Sequence, residues 1–125
     1  MKEHWTAEPE DHDYPAAQNY LSLLLPEEAA ADVVARLRVA PIVHRQAKDL
    51  LRASGLAALP PENVHVAKDL KKVAAGRPLS PVLLVRGDLA AGVALTIADG
   101  YHRICASHHL EEDADIPCRM VGLRA

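Results

Sequence analysis

The spacing of apolar residues changes about halfway along this 125-residue chain. Between residues 15 and 54, apolar side chains recur three and four positions apart, as on one face of an α-helix. Further along, residues 81–86 and 93–98 form continuous apolar runs, which are typical of strands buried on both faces. The chain is therefore predicted to be α+β, with a helical N-terminal half of about three helices followed by a small mixed sheet with helices.

Prolines and glycines divide these two halves into elements. The predicted helices of the first half lie at about 15–25, 26–40 and 43–54. The second half is predicted to contain a strand at 63–67, a helix at 68–75, two antiparallel strands at 81–86 and 93–98, a helix at 101–110 and a last strand at 116–121. The predicted domain organisation is a flexible acidic tail at 1–14, a helical segment at 15–59 and an α/β core at 60–125, packed as one compact domain.

The composition excludes several classes of protein. Half of the residues are hydrophobic and a quarter are charged, which excludes a disordered chain. No apolar run approaches the roughly 18–20 residues that cross a bilayer, and the N-terminus has no signal-peptide pattern. Two cysteines, Cys105 and Cys118, are too few for a disulfide framework. We therefore expect a cytoplasmic protein with no membrane partner.

The charge is distributed unevenly along the chain, although the net charge is only −3. Residues 1–35 carry one basic and eight acidic side chains, whereas residues 36–77 carry nine basic and three acidic ones. The basic segment could bind a small anion, or the acidic head could fold back on it. The acidic total and the absence of phenylalanine argue against nucleic acid as a partner.

The strongest chemical signal is the junction at Asp99 and Gly100, where a predicted buried strand meets a predicted helix. The free N–H groups and the dipole of a helix N-terminus favour an anion, and a glycine lets the backbone approach a phosphate closely. Arg103 could add a bidentate phosphate contact, and His102 could donate to a phosphate or transfer a proton. Asp99 could cap the helix, hold Mg²⁺ or accept a proton from a hydroxyl group.

Two alternatives stay open at this junction. Asp-Gly is also a strong signal for a two-residue hairpin turn, which would leave His102 and Arg103 exposed on a strand. The apolar residues after the turn do not alternate, which favours the helix. Lys68 follows the predicted strand at 63–67 and could reach the same anion, although a lysine-rich helix face is often simply solvated.

Three segments resemble the core of the ParB/sulfiredoxin superfamily. They are residues 81–86 (PVLLVR), 95–106 (LTIADGYHRICA) and 116–119 (IPCR). The resemblance covers about residues 60–122 and implies a small α/β domain that holds a nucleotide by its phosphates, with ATP or another nucleotide as cofactor, with or without Mg²⁺. The candidate nucleotide-binding residues are Gly100, Tyr101, His102, Arg103 and Lys68, and the candidate catalytic residues are Asp99 and His102.

The motif differs among branches of this superfamily. Chromosome-partition members carry Gly-Glu-Arg-Arg and bind CTP, sulfiredoxin carries Gly-Cys-His-Arg and uses its cysteine with ATP, and the free serine kinase carries Asp-Gly-His-His-Arg. Residues 99–103 (DGYHR) resemble the kinase motif most and differ from it only at Tyr101. Tyr101 at the cysteine position argues against sulfinic-acid reduction. The end of the chain soon after the last strand argues against chromosome partition.

The resemblance therefore favours a nucleotide-binding protein, and phosphotransfer to a small molecule as its reaction if it is an enzyme. The kinase's second carboxylate has two candidates here, Glu62 and Asp69. One alternative is a non-catalytic module that acts through a protein partner or a homodimer, with Leu21–Leu25 as a candidate surface. Another is a DNA-binding regulator, because the helices at 26–40 and 43–54 imitate a helix-turn-helix, although Pro41 argues against it.

A zinc site is the remaining possibility that the residues raise. His102, Cys105 and His109 fall on one helix face, and imidazole and thiolate groups suit zinc. The chain has no Cys-x-x-Cys or His-Glu-x-x-His spacing. No metal site is therefore predicted.

Overall fold

Helices and one mixed sheet make up the computed structural model, which describes residues 2–124. The helices are α1 (Asp13–Leu21), α2 (Glu27–Val39), α3 (Ala47–Ser54), α4 (Val64–Ala74) and α5 (Tyr101–Leu110). The strands are β1 (Ile42–Gln46), β2 (Val82–Val85), β3 (Thr96–Asp99) and β4 (Asp115–Val121). The predicted α+β class is confirmed.

The sheet has the strand order β1-β4-β2-β3. β2 is antiparallel to β3, as predicted, and parallel to β4, while β1 is antiparallel to β4. Helices cover both faces, so the side chains of β2 are buried on alternate sides. Val82 and Leu84 pack with α3, α4 and α5, whereas Leu83 and Val85 pack with α1 and α2. This double burial is the physical reason for the continuous apolar run.

The prediction of a third helix over 43–54 is wrong in its first part. Residues 42–46 form β1, which pairs with β4, and the helix begins only at Ala47. The Ala47 amide donates to the carbonyl of Ala114 at 3.0 Å, which ties the start of α3 to the loop before β4. The segment 15–59 is therefore not purely helical. Because β1 separates α2 from α3, the two helices do not form a helix-turn-helix.

The predicted strand at 63–67 is also wrong, because these residues begin α4. The side chain of Asn63 caps this helix and accepts hydrogen bonds from the amides of His65 and Val66, at 3.0 and 3.2 Å. The alternating valines belong to a helix, in which Val66 is buried and Val64 is 76% exposed. Asn63 is a residue type that commonly caps helices, so it indicates a helix start, whereas the alternating valines after it indicate a strand.

The described part of the predicted acidic tail is hydrogen-bonded to the rest of the protein. The Leu79 amide donates to the carbonyl of His4 at 2.9 Å, and the Thr6 amide donates to the carbonyl of Leu79 at 2.8 Å. α1 begins at Asp13, two residues before the predicted start, and Asp13 itself is buried. The segment before α1 therefore pairs with the residues just before β2.

The predicted apolar stripe of the first helix is correct only in part. Ala17 and Leu21 are buried, but Tyr20 and Leu24 are largely exposed, since α1 ends at Leu21. Among residues 2–124, no helix combines the length and the apolar character needed to cross a membrane.

Candidate functional site

The junction between β3 and α5 is a strand–helix turn, as predicted, and not a hairpin. Gly100 is the N-cap residue of α5 and has a φ of 108°, a conformation that favours glycine. A Cβ at this position would lie 2.4 Å from Cγ1 of Val82. Because Gly100 has no side chain to cap the helix, the first N–H groups of α5 face the space beyond the strand.

That space is a mostly polar cavity of about 300 Å³. It lies between the start of α5, one face of α4, the segment before β2 and the residues that precede α1. The structure brings five of the predicted site residues together around it: Lys68, Asp99, Gly100, His102 and Arg103. Asp69, one of the two candidates for a second carboxylate, also lines this cavity.

Two predicted residues lie elsewhere. Tyr101 packs against the core beside α5, and its hydroxyl group donates a hydrogen bond to the carbonyl of Ala57. The side chain of Tyr101 therefore points away from the cavity and does not line it. Glu62 precedes α4 and lines a neighbouring cavity, and it is not among the residues that surround Asp99.

Arg103 is held by protein groups on both sides of its guanidinium. Nη2 donates to Oδ2 of Asp99 at 2.7 Å, while Nη1 donates to the hydroxyl of Ser80 and lies 3.5 Å from Oδ2 of Asp13. The side chain is only 13% exposed. Arg103 therefore joins β3, α5 and the start of α1. Both of its terminal nitrogens already have protein partners, so the guanidinium is not free to bind a phosphate through both of them.

No sequence pattern indicates the role of Asp13. Oδ2 of this carboxylate accepts hydrogen bonds from the Ser80 hydroxyl at 2.8 Å and from the Glu10 amide at 2.9 Å. Burial raises the pKa of Asp99 to about 6, because desolvation and the nearby charge of Asp13 outweigh the attraction of Arg103. Two carboxylates and one guanidinium therefore share a partly buried network under the cavity.

The pH dependence of stability tests this network. Folded Asp99 keeps its proton up to about pH 6, whereas an aspartate with its ordinary pKa of 3.8 loses it earlier. The folded state thus binds more protons than the unfolded state between these values, and stability falls as pH rises. We expect the free energy of unfolding of the wild type, relative to Asp99→Asn, to fall between about pH 4 and 6.

Urea denaturation of both proteins at pH 3.5, 5 and 7 measures this difference. The difference should fall from pH 3.5 to pH 5 and again from pH 5 to pH 7, because the folded state keeps the Asp99 proton to a higher pH than the unfolded state does. A difference that does not change with pH would show that Asp99 titrates normally.

His65 also belongs to the site, although it is not among the predicted site residues. It lies on α4 and its ring centroid is 4.6 Å from that of His102, at an angle of 43°. Burial lowers the pKa of His102, and the neighbouring imidazole of His65 and the charge of Arg103 add to this effect. His102 is thus held toward its neutral form, although the nearby charge of Asp69 acts in the opposite direction.

One face of α4 supplies most of the opposite wall. His65, Lys68, Asp69 and Lys72 all line the cavity. Their spacing is i, i+3, i+4 and i+7, which places them on one side of a helix. This signal was present in the sequence, but it becomes readable only when residues 63–67 are recognised as the start of the helix.

The acidic head does not neutralise these lysines. Among residues 2–124, Lys68 and Lys72 form no salt bridge with a carboxylate. Asp13 and Glu8 of the head lie 3.5 Å from guanidinium nitrogens of Arg103 and Arg119 instead. Within residues 2–124, the acidic segment forms a salt bridge with the basic segment only between Asp32 and Arg36, at 3.0 Å, and its other arginine partners lie outside the basic segment.

The possible metal ligands are spread over several places. The thiol of Cys105 accepts a hydrogen bond from the Leu59 amide at 3.4 Å and is buried, whereas His102 lies in the cavity. Glu10, His12 and Asp13 bring ligand atoms within 4.8 Å of one another. Glu10 and His12 are exposed, and the carboxylate of Asp13 already accepts a hydrogen bond from Ser80 inside the protein.

Comparison with family models, with curated proteins and with solved structures gives no match to this chain. The resemblance to the ParB/sulfiredoxin superfamily therefore stays a prediction, which rests on the motif at residues 99–103 and on the strands around it.

Proposed function

We propose that the protein binds a nucleotide by its phosphate groups in the cavity between α4 and the N-terminus of α5. The observation that carries this proposal is the convergence of two kinds of phosphate-binding group on one small space. The uncapped amides of α5 face Lys68 and Lys72, which have no carboxylate partner in the described part of the chain. Helix N-termini and lysine ammonium groups both favour phosphate.

The resemblance to the ParB/sulfiredoxin superfamily supports the same ligand, because it implies phosphate binding at this junction. The proposal assigns Arg103 a different task from a phosphate clamp. Its contacts with Asp99, Ser80 and Asp13 fix the start of α5, so it is a positioning residue for the amides.

The size and lining of the cavity limit what part of a nucleotide it holds. About 300 Å³ is the lower end of the range for small-molecule sites. The aromatic groups among its lining residues are the imidazoles of His65 and His102, and no tyrosine or tryptophan is among them. We therefore expect the phosphates to lie inside and the base outside, with little discrimination among bases.

Phosphotransfer is a second step that the same cavity favours. Asp69 and Asp99 line it together with His102, so two carboxylates and a proton-transfer group surround the expected phosphate position. In this proposal Asp99 or Asp69 accepts the proton of an attacking hydroxyl group, and any Mg²⁺ that accompanies the nucleotide would be held by these carboxylates.

Calorimetric titration with ATP, GTP and CTP, each with Mg²⁺, tests the binding. Affinities for the three nucleotides should agree within a few-fold. Replacing Lys68 with glutamine should weaken ATP binding roughly tenfold, because a charge-assisted contact is lost. ADP that accumulates in the same solutions reports phosphotransfer or hydrolysis.

Lys71→Gln is the matched control. Lys71 lies on the same helix and carries the same charge, but it is not among the residues that line this cavity. Its replacement should leave the affinity within about twofold, since only long-range attraction changes. No heat of binding for the wild type, or equal losses in the two variants, would overturn the proposed site.

A further inference from the structure

A second cavity lies at the other end of the β2–β3 pair. The phosphate cavity adjoins Ser80 and Asp99, where β2 begins and β3 ends, whereas this one adjoins Arg86 and Leu95, where β2 ends and β3 begins. Four strand residues separate the two ends, a distance of about 13 Å. A molecule held here is therefore too far away to exchange a phosphoryl group directly with the first site.

The second cavity has a volume of about 650 Å³ and mostly apolar walls. Leu50 and Leu95 form part of its floor, and Met120 contributes from β4. Leu89 and Val93 lie at the mouth and are 98% and 52% exposed. Apolar side chains that line a cavity and continue to its rim are typical of a site for an apolar ligand.

The loop at the rim of the cavity is held at its base by hydrogen bonds, so the space is already formed. Asp88 pairs with Val93 across the loop, and the Leu95 amide donates to the carbonyl of Ala53 in α3 at 3.0 Å. At Gly87 a Cβ would lie 2.5 Å from the carbonyl oxygen of Val93, so this close approach requires glycine. A ligand would not have to order the loop, which lowers the entropic cost of binding.

The charges at the rim indicate the polar end of the ligand. Arg52 is 3.5 Å from Asp49, and Arg45 donates to the carbonyl of His44 at 3.1 Å. Within residues 2–124, the guanidinium of Arg86 has neither a salt bridge nor a hydrogen bond to the protein, although it lines the cavity. An exposed arginine beside an apolar space matches a carboxylate with an apolar body.

We infer that this cavity binds an apolar monocarboxylate, such as a medium-chain fatty acid, with the carboxylate at Arg86 and the chain between Leu50, Leu95 and Met120. The site does not depend on the phosphate cavity, and its ligand is a separate partner of the protein. A small molecule is favoured over a protein segment because the cavity is already formed, has mostly apolar walls and adjoins Arg86, whose guanidinium has no protein partner within residues 2–124.

Titration with decanoate below its micelle concentration tests the inference, with decanamide as the uncharged analogue. The wild type should bind one decanoate per chain. Arg86→Gln should weaken decanoate at least about tenfold and leave decanamide unchanged, since only the ionic contact is lost. Leu89→Gln should weaken both ligands, and its side chain is too exposed to affect folding.

Arg77→Gln is the control for charge, because Arg77 is exposed and is not among the residues that line this cavity. It should bind both ligands like the wild type. Three results would each overturn the inference: no binding of decanoate by the wild type, several molecules bound per chain as with a detergent, or equal decanoate affinity in Arg86→Gln and the wild type. A site that instead accepts an apolar peptide and no decanoate would also overturn it.

Discussion

Replacing Gly100 with alanine should lower the free energy of unfolding by about 2–5 kcal/mol. Two costs add. A φ of 108° is unfavourable for a residue with a Cβ, and that Cβ would lie 2.4 Å from Cγ1 of Val82 and 2.8 Å from Nη2 of Arg103. Both neighbours are held, Val82 by the core and Arg103 by its ion pair, so neither can give way cheaply. Urea denaturation measures the change.

Gly76→Ala separates the two costs. Gly76 also has a positive φ, of 72°, but no atom lies within 4 Å of its virtual Cβ. Its replacement should cost only about 1 kcal/mol, from the backbone alone. If Gly100→Ala costs no more than Gly76→Ala, the turn into α5 is not as tightly packed as the structure indicates. The affinity for ATP should fall as well in Gly100→Ala, since the amides of α5 are displaced.

Replacing Arg103 with methionine should lower the free energy of unfolding by about 3–5 kcal/mol. Methionine fills a similar volume but leaves the buried carboxylate of Asp13 and the partly buried Asp99 without a positive partner. The deficit should shrink as pH is lowered, because the pKa of Asp99 is about 6 and its protonated carboxyl group needs no counter-charge. Denaturation at pH 4 and pH 7 tests both statements.

Arg52→Met is the matched control on the surface. Arg52 is 82% exposed and lies 3.5 Å from Asp49, an ion pair that solvent screens. Its replacement should change the free energy of unfolding by about 0.5 kcal/mol or less, with little pH dependence. Equal losses in the two variants would show that the Arg103 network contributes no more than a surface pair.

Gly100 and Arg103 both determine how the start of α5 is held. Gly100 permits the turn, and Arg103 ties it to Asp99 on β3, to Ser80 before β2 and to Asp13 on α1. A change at either residue therefore acts on stability and on the orientation of the helix amides together. The Lys68 variant, by contrast, should alter binding with little effect on folding, because this lysine is exposed.

The candidate site could be predicted in the part that depends on near neighbours in the chain. Asp99, Gly100, His102 and Arg103 come from one strand–turn–helix segment, so their proximity follows from local structure. Lys68 was placed on the correct face for a partly wrong reason, since the strand assigned before it is the first turn of α4. The roles of Tyr101 and Arg103 could not be predicted from the sequence, because they depend on contacts with residues that are distant in the chain.

By itself, the sequence determined the class of the fold, the antiparallel pairing of β2 with β3 and the helical turn after Asp99. Each is encoded by periodicity or turn chemistry within about ten residues. The predicted buried strand at 93–98 is correct only in part, because β3 begins at Thr96 and Val93 is 52% exposed. Only the tertiary structure decided that residues 42–46 form a strand, because their partner strand β4 begins at Asp115 and must fold against them. It also decided that Asp13 is buried beside Arg103, 90 positions away in the chain. Local preference cannot specify such contacts, since the charge that makes burial of a carboxylate tolerable comes from a distant part of the chain.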